Sequence, residues 1–221
     1  MTLSSDLNTA VQSTKKPQKS DLFDLGLVNA ELTAAMDKLA NIEKAVSIFG
    51  SARLAETHPA CQMALTLGKA LSEEGISIIT GGGPGVMAAA NRGCQLGGAG
   101  QSIGLNIKLP REQTPNPYQD ISLYFEHFPT RKTIFMAYSD AFICVPGGFG
   151  TLDELLEAMT LMQTKKMALK PMILVDREFW APLMEWFKTA FLQHEMINAG
   201  DLDKLILVDT VEEALEALSG L

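Results

Sequence analysis

The sequence predicts an α/β protein: a Rossmann-like, mainly parallel sheet of about seven strands with helices on both faces. Three observations carry this reading. Short apolar runs recur at 45–50 (AVSIFG), 76–80 (ISIIT), 102–107 (SIGLNI), 121–125 (ISLYF), 141–145 (AFICV), 171–175 (PMILV) and 204–208 (KLILV). Most of the stretches between them place apolar residues at helical spacing, and buried strands alternating with helices form a parallel sheet covered on both sides. Two runs end in glycine-rich turns, and such sheets bind ligands beyond the carboxyl ends of their strands, near the point where strand order reverses.

Residues 1–25 are rich in Ser, Thr, Lys and Gln without an apolar period, which predicts a disordered or mobile arm. A single domain, 26–221, follows. Leu27, Leu32, Ala35, Met36, Leu39 and Ile42 predict a leading helix from Leu27 to about Lys44. After the first strand, Ala60, Met63, Ala64, Leu67, Ala70 and Leu71 mark a helix ending at Gly75. Pro129 opens a helix that turns Ile134, Phe135 and Tyr138 inward, and Leu152, Leu155, Leu156, Met159 and Met162 mark another from Thr151 to about Gln163. Trp180 and Trp186 are expected to pack a later helix against the sheet.

Composition narrows the function. A chain of 221 residues, 47% of them hydrophobic, can bury one substantial core. Its net charge of -8 supplies no general attraction to nucleic acid or anionic membrane, so neither is an expected partner, and any phosphate must be held by local groups. Cys61, Cys94 and Cys144 are odd in number and lack zinc-ligand spacing, which predicts buried thiols in a reducing compartment. His58, His127 and His194 are too dispersed to argue for a metal or a triad. Without the apolar core of a signal peptide or a run of about 18 apolar residues, the expected location is cytoplasmic.

The first strand runs into Gly50, Ser51, Ala52 and Arg53, which matches neither the dinucleotide fingerprint nor the P-loop. The second runs into TGGGPGVM, Thr80 to Met87, where glycines let the backbone approach a ligand and Pro84 suits a helix opening. Gly82, Gly83 and Gly85 are therefore candidate anion binders, with a tight, ligand-free packing turn as the alternative. The fifth strand runs into Pro146, Gly147, Gly148 and Gly150, followed by Thr151, Asp153 and Glu154. Taken alone, Thr151 and Glu154 fit a capping box. Arg131 and Lys132, shortly before this turn, offer a guanidinium fork and a compact charge for a phosphate.

GSAR at 50–53, GGGPGVM at 81–87, PRE at 110–112, RK at 131–132 and PGGFGTLDE at 146–154 together resemble the LOG family of cytokinin riboside 5′-monophosphate phosphoribohydrolases, formerly labelled lysine decarboxylase-like. The resemblance covers roughly residues 45–210. It implies hydrolysis of a purine (N6-modified adenine) nucleoside 5′-monophosphate to free base and ribose 5-phosphate, without cofactor or metal, by a homodimer or larger homo-oligomer. By matching positions it implies Arg131 and Glu154 as the catalytic pair. Ser51, Gly82, Gly83, Gly85, Glu112, Lys132, Gly147, Gly148, Gly150, Thr151, Asp153 and Thr160 are the candidate substrate-binding residues.

The chemistry suits these residue types. Breaking an N-glycosidic bond passes through an oxocarbenium-like state, which a carboxylate such as Glu154 can stabilise or attack with an activated water. Arg131, with a pKa above about 12, is suited to electrostatic work on the phosphate or departing base rather than to proton donation. The alternative is a non-catalytic nucleotide or molybdenum-cofactor carrier, in which the glycine turns hold phosphate but Arg131 need not be paired with Glu154. Pyridoxal-dependent decarboxylation would need a Schiff-base lysine, and none is identifiable.

Overall fold

The computed structural model describes residues 24–109 and 114–221. Seven strands form one sheet: β1 (Ala45–Phe49), β2 (Ser77–Thr80), β3 (Ser102–Ile107), β4 (Ile121–Phe125), β5 (Ala141–Cys144), β6 (Met172–Val175) and β7 (Leu205–Val208). Their order is β4-β3-β2-β1-β5-β6-β7, and every neighbouring pair is parallel. The central strands β1, β2, β5 and β6 are buried along their whole length, which is why they read as uninterrupted apolar runs.

Around the sheet lie α1 (Leu25–Leu39), α2 (Pro59–Glu73), α3 (Val86–Gly97), α4 (Phe128–Tyr138), α5 (Phe149–Gln163), α6 (Arg177–Trp186), α7 (Ala199–Leu202) and α8 (Val211–Ala217). A π-helical segment, Phe187–Leu192, continues α6. Two apolar clusters separate the layers. One joins Leu39, Phe49, Phe125, Phe135, Phe142 and Leu155, and the other joins Ile48, Leu67, Leu71, Ile78, Val86 and Ile143 on the opposite face.

Several boundaries differ from expectation. The leading helix starts at Leu25, capped by Asp24, and ends at Leu39 rather than near Lys44. Its start falls inside the expected arm, whose residues 1–23 lie outside the described residues. Trp180 is buried and donates its indole N–H to the Val175 carbonyl at 3.1 Å, as a helix packed on the sheet requires. Trp186 instead remains 51% exposed, its ring tilted against those of Phe187 and Phe191. Cys61, Cys94 and Cys144 are all buried free thiols.

β1 and β5 are adjacent, while β2 to β4 extend to one side of them and β6 and β7 to the other. The reversal of strand order therefore lies between β1 and β5, where parallel sheets open a crevice.

Candidate functional site

A cleft of about 720 Å³ lies at that switch point, within the range of small-molecule sites. The β1 loop contributes Gly50, Ser51, Ala52 and Arg53, the β2 end contributes Gly81, and α4 contributes Phe128, Arg131 and Phe135. The opposite wall is the start of α5: Gly148, Phe149, Gly150, Thr151, Asp153 and Glu154. Among the described residues no group of His, Cys, Asp and Glu is arranged to hold a metal ion.

α5 begins two residues earlier than its sequence pattern predicts. Gly148 is the N-cap and no side chain caps the turn, so Thr151 and Glu154 do not form a capping box. The reason is local: glycine has no side chain to cap with, and Thr151 already sits inside the helix. Space beside Gly148 and Gly150 is open, because a methyl group at either would meet nothing within 4 Å. An uncapped helix N-terminus with free room in front of it is suited to an anion. Gly147 lies behind this turn, packed so closely on Thr151 that a methyl group would come 2.1 Å from its hydroxyl.

The GGGPG turn faces the other way. Gly82, Gly83 and Gly85 do not line the cleft, and the Gly82 N–H and the Gly82 and Gly83 carbonyls are engaged within the protein. Gly82 N–H donates to Thr80 Oγ1, and its carbonyl accepts from Gln119 Nε2 at 2.9 Å and Asn116 N–H at 2.8 Å. The Gly83 carbonyl accepts from Asn116 Nδ2 at 3.0 Å. Gly85, at φ +65°, abuts Ser51, whose carbonyl accepts the Val86 N–H at 3.0 Å. Gly81 is the glycine of this turn that reaches the cleft, where a methyl group would lie 2.3 Å from Arg131 Nη2.

That close approach lets Arg131 lie across the strand ends. Its Nε donates to the Leu105 carbonyl at 2.7 Å and its Nη2 to the Gly81 carbonyl at 3.2 Å, with the Phe135 ring 5.3 Å from its guanidinium carbon. The side chain is buried, which lowers its pKa, while the Glu154 charge acts to raise it. Glu154 is buried as well, and Oε2 has no hydrogen-bond partner. Burial raises its carboxyl to a pKa of about 7, against the pull of Arg131 and Lys132 and with the repulsion of Asp153 and Glu157. A buried carboxyl poised near neutrality beside a buried cation is a common arrangement at sites of chemistry.

Other expected residues are placed differently. Lys132 does not line the cleft; its Nζ lies 2.9 Å from Asp153 Oδ1 and 2.8 Å from Glu157 Oε2, the latter an ion pair whose angles fall short of a hydrogen bond. Thr160 is exposed further along α5, its hydroxyl donating to the Leu156 carbonyl. Glu112 lies outside the described residues. Ser51 lines the cleft, and its hydroxyl accepts the Arg53 N–H at 3.1 Å. Arg53, absent from the expected set, is an exposed cation on the cleft wall and has no ion pair with a described residue. Its signal was a lone basic residue just beyond a buried strand.

The family model described as "Possible lysine decarboxylase" matches residues 87–218. A cytokinin riboside 5′-monophosphate phosphoribohydrolase of Mycobacterium tuberculosis is 31% identical over 166 residues, covering 71% of this chain and 83% of that protein. The chain belongs to the LOG family. The rice LOG protein of the same activity name is 40% identical over 103 residues, a match spanning 45% of this chain and 42% of the rice protein. Among solved structures, the molybdenum cofactor carrier protein of Chlamydomonas reinhardtii superposes with a TM-score of 0.61 at 24% identity, covering 80% of this chain and 96% of that one. A molybdenum cofactor binding protein of Rippkaea orientalis gives 0.60 at 22% identity, with coverages of 80% and 94%. At these identities the likeness is one of fold alone.

Proposed function

We propose that this LOG-family protein hydrolyses the N-glycosidic bond of purine nucleoside 5′-monophosphates, N6-modified adenine nucleotides among them, releasing free base and ribose 5-phosphate. The observation that carries the reading is Glu154: a buried carboxyl with an unpartnered oxygen and a pKa of about 7, facing a nucleotide-sized cleft beside Arg131. A protein that only carried a nucleotide would need neither the unpaired carboxylate nor its desolvation. The names of the mycobacterial and rice relatives support the same activity.

In this mechanism the free N–H groups at the start of α5 and the Thr151 hydroxyl bind the phosphate, joined by Arg53 across the cleft. The ribose then lies toward Glu154. As the C1′–N9 bond breaks, its electron pair leaves with the base, which takes up a proton from solvent, and positive charge develops on the sugar. Glu154 stabilises that charge and accepts a proton from the water that adds to C1′. Arg131 polarises the departing base or the phosphate without giving up a proton. Phe49, Met87, Ile107 and Phe135 provide the apolar wall for the base.

The residues present do not fit pyridoxal chemistry, because no lysine is among the described residues lining the cleft. Exposed apolar side chains on α5, Phe149 at 93% and Leu156 at 43%, support a homodimer or larger assembly. Incubating the purified protein with AMP and with N6-isopentenyladenosine monophosphate, then separating the products, tests the reading. Free base and ribose 5-phosphate are expected. Nucleotide that binds but is recovered intact would favour a carrier.

A further inference from the structure

The leading helix lies upstream of residues 87–218, yet it reaches the helix that carries Arg131. Glu31 on α1 is 7% exposed, an unusual place for a carboxylate unless it is well partnered. Its Oε1 accepts the Glu126 N–H at 2.5 Å, and its Oε2 accepts from the Thr130 hydroxyl and faces His127 Nδ1 at 3.3 Å. Burial acts to raise its pKa, but these bonds more than compensate and hold it below the ordinary value.

All three partners belong to the entry of α4. Glu126 and His127 precede the helix and Thr130 lies in its first turn. That turn lacks a cap of its own: the His127 side chain makes no capping bond, and Pro129 has no N–H to offer. At the other end of α4, Lys170 Nζ donates to the carbonyls of Met136 and Ser139. A carboxylate at the amino end and an ammonium at the carboxyl end both oppose the helix dipole. The first turn held this way contains Phe128 and Arg131, which line the cleft.

We infer that Glu31 is a positioning residue for the active site: by tying the entry of α4 to the leading helix, it fixes where Arg131 stands relative to Glu154. This rests on the hydrolytic reading for its catalytic consequence, but not for its geometry. If this tie is lost, the first turn of α4 loosens and Arg131 recedes from Glu154. The attraction from Arg131 is the largest influence opposing the burial of Glu154, with Lys132 also lowering its pKa and Asp153 and Glu157 raising it. On the sheet side Glu154 faces the buried Cys144 thiol, whose pKa burial and the Glu154 charge push up. Weakening the Arg131 contribution must therefore raise the pKa of Glu154.

The test uses the full chain, wild type and Glu31→Gln, with Thr130→Val as a second, milder break of the same contact. The Glu154 carboxyl is titrated by ¹³C NMR, its signal assigned by loss in Glu154→Gln, and AMP turnover is measured alongside. In variants shown to be folded by circular dichroism, the expected result is an upward move of the Glu154 titration and about a tenfold loss of kcat, since misplacement by about 1 Å can cost 10²-fold. Arg177→Ala, which breaks an exposed ion pair with Asp209 and Glu213, serves as the control and leaves both unchanged. A lowered melting temperature with the Glu154 titration and kcat unaltered would show Glu31 to be structural only and overturn the inference. A shifted Glu154 titration in the variants, with no base released even by the wild type, would uphold the positioning role and refute the hydrolytic reading instead.

Discussion

Arg131 and Glu154 face one cleft from two different helices, and the guanidinium is held by backbone rather than by the carboxylate. Arg131 donates to the carbonyls of Leu105 and Gly81, while Glu154 Oε2 is buried without a hydrogen-bond partner. The two are coupled through space, each moving the other's pKa toward the charged form, without forming a closed ion pair. A carboxyl left open in this way is free to engage a sugar or a water. Its desolvation is a standing cost of the site.

That cost makes a stability prediction. The pKa of Glu154 is raised from 4.5 to about 7 in the folded protein, so folding is favoured most below pH 4.5 and this contribution is lost as pH rises through about 7. The difference corresponds to about 3 kcal/mol, as an order of magnitude. Glu154→Gln, an uncharged isostere, should therefore stabilise the protein at pH 8 in urea unfolding, by about 1–3 kcal/mol, and change it little at pH 4. Equal destabilisation at both pH values would mean that the carboxylate is well solvated in the native state.

The same group predicts the acid limb of the activity. Glu154 acts ionised in the proposed mechanism, so kcat/KM should rise with pH through an apparent pKa near 7. The substrate phosphate titrates nearby, at about 6, so a phosphate-only control separates the two: binding of ribose 5-phosphate alone should follow the lower pKa and turnover the higher. Activity that falls as pH rises through 7 would make Glu154 a general acid instead.

Much of the fold was legible because burial on both faces delimits a strand sharply. Each of the seven strands lies within one residue of the apolar run that predicts it, as in SIGLNI at Ser102–Ile107. The site was less legible, for reasons of long-range contact. Nothing local shows that Asn116 and Gln119, more than thirty residues downstream, bind the carbonyls of Gly82 and Gly83 and turn that loop inward. The start of α5 is not legible because a glycine N-cap leaves no side-chain signature, whereas Thr151 has one. The engagement of Lys132 had a visible signal, since Asp153 and Glu157 are four residues apart and so share one helix face. Glu31 had none, its partners lying 95 to 99 residues away.

Arg53 is predicted to read the phosphate. It lines the cleft opposite the start of α5 and forms no ion pair with a described residue. A charge-assisted hydrogen bond is worth about 1.5–3 kcal/mol, so Arg53→Ala should raise KM for AMP about 10- to 100-fold, leave kcat nearly unchanged and weaken ribose 5-phosphate binding in parallel. Because the side chain is exposed, stability should move by less than about 0.5 kcal/mol. An unchanged KM would remove Arg53 from the phosphate site.

Gly81→Ala tests the seat of Arg131. The added methyl group would lie 2.3 Å from Arg131 Nη2 and 2.7 Å from Met87 Sδ, so the guanidinium must shift. A loss of turnover of about tenfold or more is expected in a protein that still folds, since Gly81 lacks the positive φ that makes Gly82 and Gly85 intolerant. Full activity would show that the position of Arg131 is unimportant to the chemistry.

The most direct measurement is release of free adenine from AMP by the wild-type protein beside Glu154→Gln and Arg131→Ala, with nucleotide binding measured on all three. Adenine and ribose 5-phosphate from the wild type, with turnover by Glu154→Gln reduced at least about 10²-fold while it still binds AMP, is the predicted result. Undiminished base release by folded Glu154→Gln would contradict the central role of that carboxylate.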